Sequence, residues 1–182
     1  MRYSVIFFML LFCASFFAQG LPASWFGSYQ GTMELFGKEV APFSTVHVRL
    51  EILEIKKDSV WTYNMIYGEK EKLGYLEKKY HIELKPEGLV LNEGDGVYIS
   101  MRLFGDCLID FYSIEDRDNS NTYMSSVLCR QANGDLEFNL FSGSMTPVNT
   151  SQIIEESEGS VYGLSTYNLG FNQHVVLKKI IK

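Results

Sequence analysis

The 182-residue chain is poor in the groups that carry most enzymatic and metal chemistry. It has three histidines, His47, His81 and His174, in three separate segments, and three cysteines. Neither Cys-x-x-Cys nor His-x-x-x-His spacing occurs, which argues against a structural zinc. His47 and His81 fall on the polar phases of alternating segments, the pattern of solvated residues. Nucleophilic catalysis needs a serine or cysteine within reach of a base. Gly-x-Ser-x-Gly is missing, and the nearest sequence, Gly143-Ser144-Met145, precedes a loop-like stretch and not a helix. The acidic run Asn92-Glu93-Gly94-Asp95-Gly96 lacks the length and terminal glutamate of an EF-hand loop. Two glycines around Asp95 instead mark a tight hairpin, with weak calcium binding as the alternative.

Clustered positive charge is also scarce. Lys70, Lys72, Lys78 and Lys79 are interleaved with Glu69, Glu71 and Glu77, which reads as a solvated turn and strand edge. Without the basic clusters that neutralise phosphates, the chain is not expected to bind nucleic acid.

One long apolar run is present, at the start. Arg2 supplies a positive flank, Val5 to Phe17 an apolar stretch, and Ala18-Gln19-Gly20 small residues at the two positions a signal peptidase reads. Residues 1–20 are therefore expected to be an export signal cleaved after Gly20, and 21–182 a single domain, periplasmic or extracellular. A membrane anchor is the rival, but a spanning helix needs roughly 20 apolar residues, and this run is broken by Ser15 and closed by Gln19. A lipoprotein signal acylated at Cys13 is the other rival, and bulky Phe12 stands where such a signal has a small residue. With Arg2 removed, 15 basic residues face 22 acidic ones, a net of −7. A domain of this size hides about 70% of its unfolded surface, so it needs neither metal nor disulfide to hold a core.

The mature chain keeps Cys107 and Cys129. Strand-like Cys107 to Ile114 and Thr122 to Arg130 flank the polar run Glu115 to Asn121, which has hairpin-loop composition. Folding that run about its middle sets the two cysteines within a residue or so of each other. A disulfide, or at least adjacency, is expected, and export makes the bond permissible. Two separate buried thiols are the alternative.

Hydrophobic period two dominates the remainder, the signature of strands with one wet and one dry face. Val46, Val48, Leu50 and Ile52 alternate with His47, Arg49 and Glu51; Tyr80, Ile82 and Leu84 alternate with His81 and Glu83. Similar patterns recur at Val97–Leu103 and Leu136–Leu140, with turn signals about every 8 to 12 residues. Candidate strands lie at 25–36, 43–56, 60–67, 75–85, 89–92, 97–104, 107–114, 122–130, 135–141, 160–167 and 173–181. Met145 to Ser160 reads as one long irregular connection with room for a helical turn; within it, Asn149-Thr150-Ser151 matches a glycosylation sequon. The expected fold is all-β, an antiparallel meander of about ten strands. Closure into a barrel removes the exposed edges of an open sheet, so a barrel is preferred over a two-sheet sandwich.

The segment Trp25-Phe26-Gly27-Ser28-Tyr29-Gln30-Gly31 resembles the first strand of calycin-type barrels, the lipocalins and their relatives. Gly27-Ser28-Tyr29 stands where lipocalins carry Gly-x-Trp, with tyrosine in place of tryptophan. The resemblance implies a lipocalin or fatty-acid-binding-like barrel, an aromatic ring closing its lower end, and a basic residue near the last strand, Lys178 or Lys179, packed on that ring. The run also resembles the opening of nitrobindin-type haem barrels, which implies a proximal histidine near the C-terminus, here His174. A neutral imidazole suits iron.

What the chain does have is aromatic density, 14% of its residues. Trp61, Tyr63, Met65 and Tyr67 share one face of their strand, and Val60, Thr62, Asn64 and Ile66 the other; both are apolar enough to leave the inward face open. Ligand cavities are mostly apolar with a few polar groups, so Trp61, Tyr63 and Met65 are candidate lining residues. Tyr98 and Arg102 join them if their phase points inward; the usual exposure of arginine favours the opposite phase, with Val97, Ile99, Met101 and Leu103 in the core. The expected function is non-catalytic binding of a small apolar ligand with no cofactor. The alternatives are an envelope or extracellular interaction protein whose barrel is filled by its own side chains, a haem barrel, and an enzyme built on the barrel mouth.

Overall fold

A computed structural model describes residues 20–115, 121–155 and 160–181. Residues 1–19, which carry the expected export signal, and the middle of the Glu115–Asn121 run lie outside the described residues.

The fold is all-β: thirteen strands among the described residues, ten of them in one closed antiparallel barrel. The chain enters through a 3-10 turn, Ala23–Trp25, and then runs into β1, Gly27–Phe36. β2, Ser44–Ile52, and the short β3, Glu54–Lys56, are separated at Leu53 and follow one another along β4, Val60–Tyr67. An unbroken meander follows: β5, Leu76–Lys85; β6, Gly88–Gly94; β7, Val97–Phe104; β8, Cys107–Glu115; β9, Asn121–Arg130; and β10, Leu136–Ser144. β11, Asn149–Glu155, and β12, Ser160–Thr166, pair only with each other, and β13, Phe171–Lys179, inserts between β10 and β1. Pairing of β2 with β4 closes the circuit, from Val48 opposite Tyr67 to Glu51 opposite Asn64.

Beyond shifts of a few residues at strand ends, three places differ from the sequence reading. Trp25 belongs to the 3-10 turn and not to the first strand. The 43–56 strand is split at Leu53, whose N–H is taken by the Thr62 hydroxyl at 2.8 Å. Most visibly, 145–160 contains β11 where an irregular connection with room for a helical turn was expected. Asn149, Ser151 and Ile153 are too polar and too short a run to signal a dry strand face. β12 supplies β11 with its partner, from Asn149 opposite Thr166 to Glu155 opposite Ser160.

One end of the barrel is packed solid. Leu21, Trp25, Tyr29, Ile52, Trp61, Leu136 and Leu177 are buried there, and Leu136 and Leu177 face each other across β10 and β13. Full burial of each large apolar side chain contributes roughly 1.5–3 kcal/mol. The Tyr29 hydroxyl donates to the Trp25 carbonyl at 2.8 Å, so the ring is anchored at its polar tip. The Lys179 ammonium lies over the Tyr29 ring, 5.6 Å from its centroid, within cation–π range. Of the two lysines that the lipocalin resemblance offers, Lys179 is the one on the ring.

The seam between β1 and β13 depends on a glycine. A Cβ on Gly31 would stand 2.4 Å from the Val176 carbonyl oxygen and 2.7 Å from a Val175 methyl. Only hydrogen fits, and this lets the paired strands β1 and β13 run close together there. At the other end, the Gly94-Asp95-Gly96 turn has φ of 88°, 51° and 82°, the left-handed conformation that glycine adopts freely. It joins β6 to β7 as a tight hairpin, braced by the Gly94 N–H on the Asn92 side chain at 3.0 Å.

Cys107 and Cys129 are direct cross-strand partners on β8 and β9, with Cα atoms 4.0 Å apart, and they form a disulfide. Its phase is that of Ile109 and Phe111, outside the barrel. A disulfide is compatible with an oxidising compartment. Among the described residues no helix is long and apolar enough to cross a membrane.

Candidate functional site

The strand phase at the solid end also fixes what the other end presents. Starting from buried Trp61, the inward series on β4 continues through Tyr63, Met65 and Tyr67. On β5 the series of Ile82 runs back through Tyr80 to Lys78. On β6 that of Leu89 and Leu91 runs forward to Glu93, on β8 that of Leu108 to Asp110 and Tyr112, and on β9 that of Leu128 back to Ser126 and Met124. These residues surround a cavity of about 90 Å³ in the half of the barrel away from the Trp25 turn, with Ile99, Phe138 and Leu140 completing its apolar wall.

Asp110 is the one buried carboxylate in the cavity wall, 5% exposed. One carboxylate oxygen accepts the Ser126 backbone N–H at 2.8 Å, and the other accepts the Ser126 hydroxyl. Both bonds come from a single residue directly opposite on β9. They fix the orientation of the carboxylate without neutralising it. Burial pushes its pKa above the ordinary aspartate value, and the two Ser126 bonds pull in the opposite direction without cancelling the effect.

The tyrosines report the same field. Burial raises the Tyr63 hydroxyl far above its usual range, with neighbouring Tyr67 and Asp110 adding to it. Burial pushes Tyr67 up to about 12, reinforced by Tyr80, Glu93 and Tyr112. Tyr112 also rises to about 12 through burial, then Asp110, Glu93 and Tyr80. All three hydroxyls are neutral donors at physiological pH. The cavity thus combines two carboxylates, Asp110 and Glu93, four tyrosine rings and one ammonium, Lys78, which rests 5.7 Å from the centroid of Tyr80.

Of the candidate lining residues, Tyr63 and Met65 line the cavity. Trp61 faces inward too, but it belongs to the solid end, where its ring lies 3.1 Å from the position of a Cβ on Gly20. Tyr98 and Arg102 are on the outer face of β7, Tyr98 57% exposed, and the structure does not bring them to the cavity. Period two forces this: with Ile99 and Met101 buried, the residues beside them must point out. His174 also points outward, its ring nitrogens 3.2 Å from Glu137 and 3.7 Å from Glu34. The resemblance to haem barrels nominated this histidine as a proximal ligand; its phase on β13 takes it out of the barrel interior. None of the three histidines lines the cavity.

Sequence reading missed Asp110, Ser126, Glu93, Tyr112 and Lys78. Lys78 was grouped with the solvated lysines, and the salt bridge of its neighbours, Lys72 with Glu69 at 2.6 Å, does lie in an exposed turn. The alternation of Tyr80 and Ile82, carried back by two residues, is the signal that places Lys78 inside.

A second feature lies outside. Phe111 and Tyr123 stack at 6.2 Å on adjacent strands, and with Met145 and Tyr167 they outline an apolar groove of about 280 Å³ beside the β11–β12 hairpin. No protein-family model and no curated protein matches this chain. The closed ten-strand antiparallel barrel is compatible with a calycin-like fold.

Proposed function

We propose that this protein is an exported, non-catalytic barrel of lipocalin-like design that binds one compact small molecule in the open half of its interior. The observation that carries this reading is the asymmetry of the barrel interior: one end is packed with tryptophan, tyrosine and aliphatic side chains, and the other keeps a cavity with convergent polar groups. Sites for drug-sized ligands run to about 300–1,000 Å³. A cavity of about 90 Å³ suits a molecule equivalent to a few waters, at roughly 30 Å³ each. The ligand is therefore smaller and more polar than the apolar molecule that the strand pattern alone suggested. The leader-like first twenty residues and the disulfide support the exported setting.

The methionines supply the test. Met65 and Met124 line the cavity, whereas Met33 is fully buried outside it. A panel of small fragments is titrated while the methyl resonances are followed by NMR, alongside native mass spectrometry of the purified protein. Fragments that shift Met65 and Met124 and spare Met33 support the reading. A panel that moves neither, with no co-purified molecule, refutes it.

The stacked Phe111–Tyr123 pair favours a second reading, binding of a protein partner on the outer face. Replacing Phe111 by serine leaves the cavity intact, so an effect confined to partner capture would favour that surface.

A further inference from the structure

We infer that the ligand of this cavity is a small organic ammonium ion, held between the Asp110 and Glu93 carboxylates and the tyrosine ring faces. The inference rests on the small-molecule reading above and deepens it. Three observations carry it.

The first is the charge of the wall. Asp110 and Glu93 both line the cavity, from the inward series of β8 and β6 on either side of β7, and Ser126 holds the Asp110 carboxylate in place through two bonds while supplying no positive charge. An anion entering this space meets two carboxylates. A cation meets a fixed, already oriented acceptor and needs no reorganisation.

The second is the shape of the aromatic wall. Tyr63, Tyr67, Tyr80 and Tyr112 come from three strands around one small space. Ring faces are the negative ends of the aromatic quadrupole, and several of them around one point form the cage that recognises alkylated ammonium groups. Burial keeps the Tyr63, Tyr67 and Tyr112 hydroxyls neutral at physiological pH, and they can accept hydrogen bonds from an ammonium.

The third is that a cation already rests on this wall. The Lys78 ammonium lies 5.7 Å from the Tyr80 centroid, inside the roughly 6 Å range of a cation–π contact. The lysine stem can be moved by rotation about its side-chain bonds. An arriving ammonium thus competes with Lys78 for the same electrostatic field, which gives the proposal a signature that a purely apolar pocket lacks.

The test compares n-propylammonium with n-propanol, near-isosteres that differ by the charge at one end, on the intact mature protein. The readout is the Met65 and Met124 methyl resonances. Binding of the ammonium at least tenfold tighter than the alcohol is expected. Asp110→Asn should remove that preference, Glu93→Gln should reduce it, and Lys78→Gln should strengthen ammonium binding several-fold. Equal binding of amine and alcohol at Met65 and Met124 overturns the ammonium inference and leaves the small-molecule reading standing. No shift with either probe overturns the ammonium inference, and the fragment panel then decides the broader reading separately. An ammonium preference that persists in Asp110→Asn, with native methyl dispersion, also overturns the assignment.

Discussion

Removing the Cys107–Cys129 disulfide is the perturbation whose size follows most directly from the fold. The bond closes a loop with a sequence separation of 22, within a hairpin whose nine residue pairs run from Cys107 opposite Cys129 to Glu115 opposite Asn121. In the chain-entropy treatment, cross-linking a loop of this size removes about 11 cal/mol/K from the unfolded ensemble, or about 3.4 kcal/mol at 25 °C. The hairpin does not rely on the bond for its register, because the cross-strand ladder and inward Leu108, Asp110, Ser126 and Leu128 hold it. The loss should therefore appear as lower stability and not as a different fold. For a domain near this size, 1 kcal/mol shifts the melting temperature by roughly 2–4 °C, so a drop of roughly 7–14 °C is expected. The paired Cys107→Ser and Cys129→Ser variant is compared with wild type by urea titration, with wild type under reductant as a second arm. The denaturant slope should rise when the bond is absent, because the unfolded chain expands. Two titratable thiols in denatured, unreduced protein would refute the pairing. An unchanged midpoint, or complete unfolding at 25 °C, would refute the magnitude.

Three further outcomes are expected. Gly31→Ala puts a methyl 2.4 Å from the Val176 carbonyl oxygen at the β1–β13 seam; a loss of about 1–3 kcal/mol in urea unfolding is expected, and an unchanged midpoint would show that β1 and β13 approach less closely. Asp110 has a raised pKa, so the folded state holds its proton more tightly than the unfolded chain does. The resulting stabilisation is complete below the unfolded value and is lost as pH rises through the folded one. Asp110→Asn should therefore gain stability relative to wild type between acid and neutral pH, while losing the ammonium preference; a variant less stable than wild type at neutral pH would contradict the burial argument. Burial pushes Tyr67 and Tyr112 up to about 12 from the ordinary 10. Stability should fall as pH rises from about 10 to about 12, and their tyrosinate absorbance should appear with unfolding; early titration of every tyrosine would show the cavity wall to be open to solvent.

The barrel was legible in the sequence because its strands are dry on one face only. Val46 to Ile52 and Ile99 to Leu103 alternate cleanly, whereas Val97, expected in the core, is exposed at the start of β7, and turns such as Gly94-Asp95-Gly96 sit where left-handed backbone is needed. The cysteine pairing was legible for the same reason: a polar loop folded about its middle leaves little freedom in register. Closure followed from the instability of free edges, and the chain forms it by a pairing, β2 with β4, that skips β3. The failures are places where the pattern carries no period. The sequence of β11 has no clear alternating apolar phase, and its one strand partner among the described residues is β12. Trp25 reads as a strand residue from its aromatic neighbours, yet Pro22 ahead of it starts a 3-10 turn that folds the ring under the barrel.

The cavity was hard to see for a different physical reason. Its residues are polar groups on phases that begin apolar: Asp110 two residues after Leu108, Glu93 two after Leu91, Lys78 two before Tyr80, Ser126 two before Leu128. A window that asks which face is hydrophobic averages these away, because each strand changes character midway along its length. The change occurs on β5, β6, β8 and β9 in the halves that lie away from the Trp25 turn, while the halves near it stay apolar. A sheet folding for stability alone has no reason to switch four strands together, since burying Asp110 costs more than burying another leucine at the same position. Read strand by strand, the switch is a scatter of polar residues in otherwise dry runs. Aligned through the registers of β5 to β9, it becomes one polar and aromatic region inside the barrel, and that alignment is the information which only the closed fold supplies.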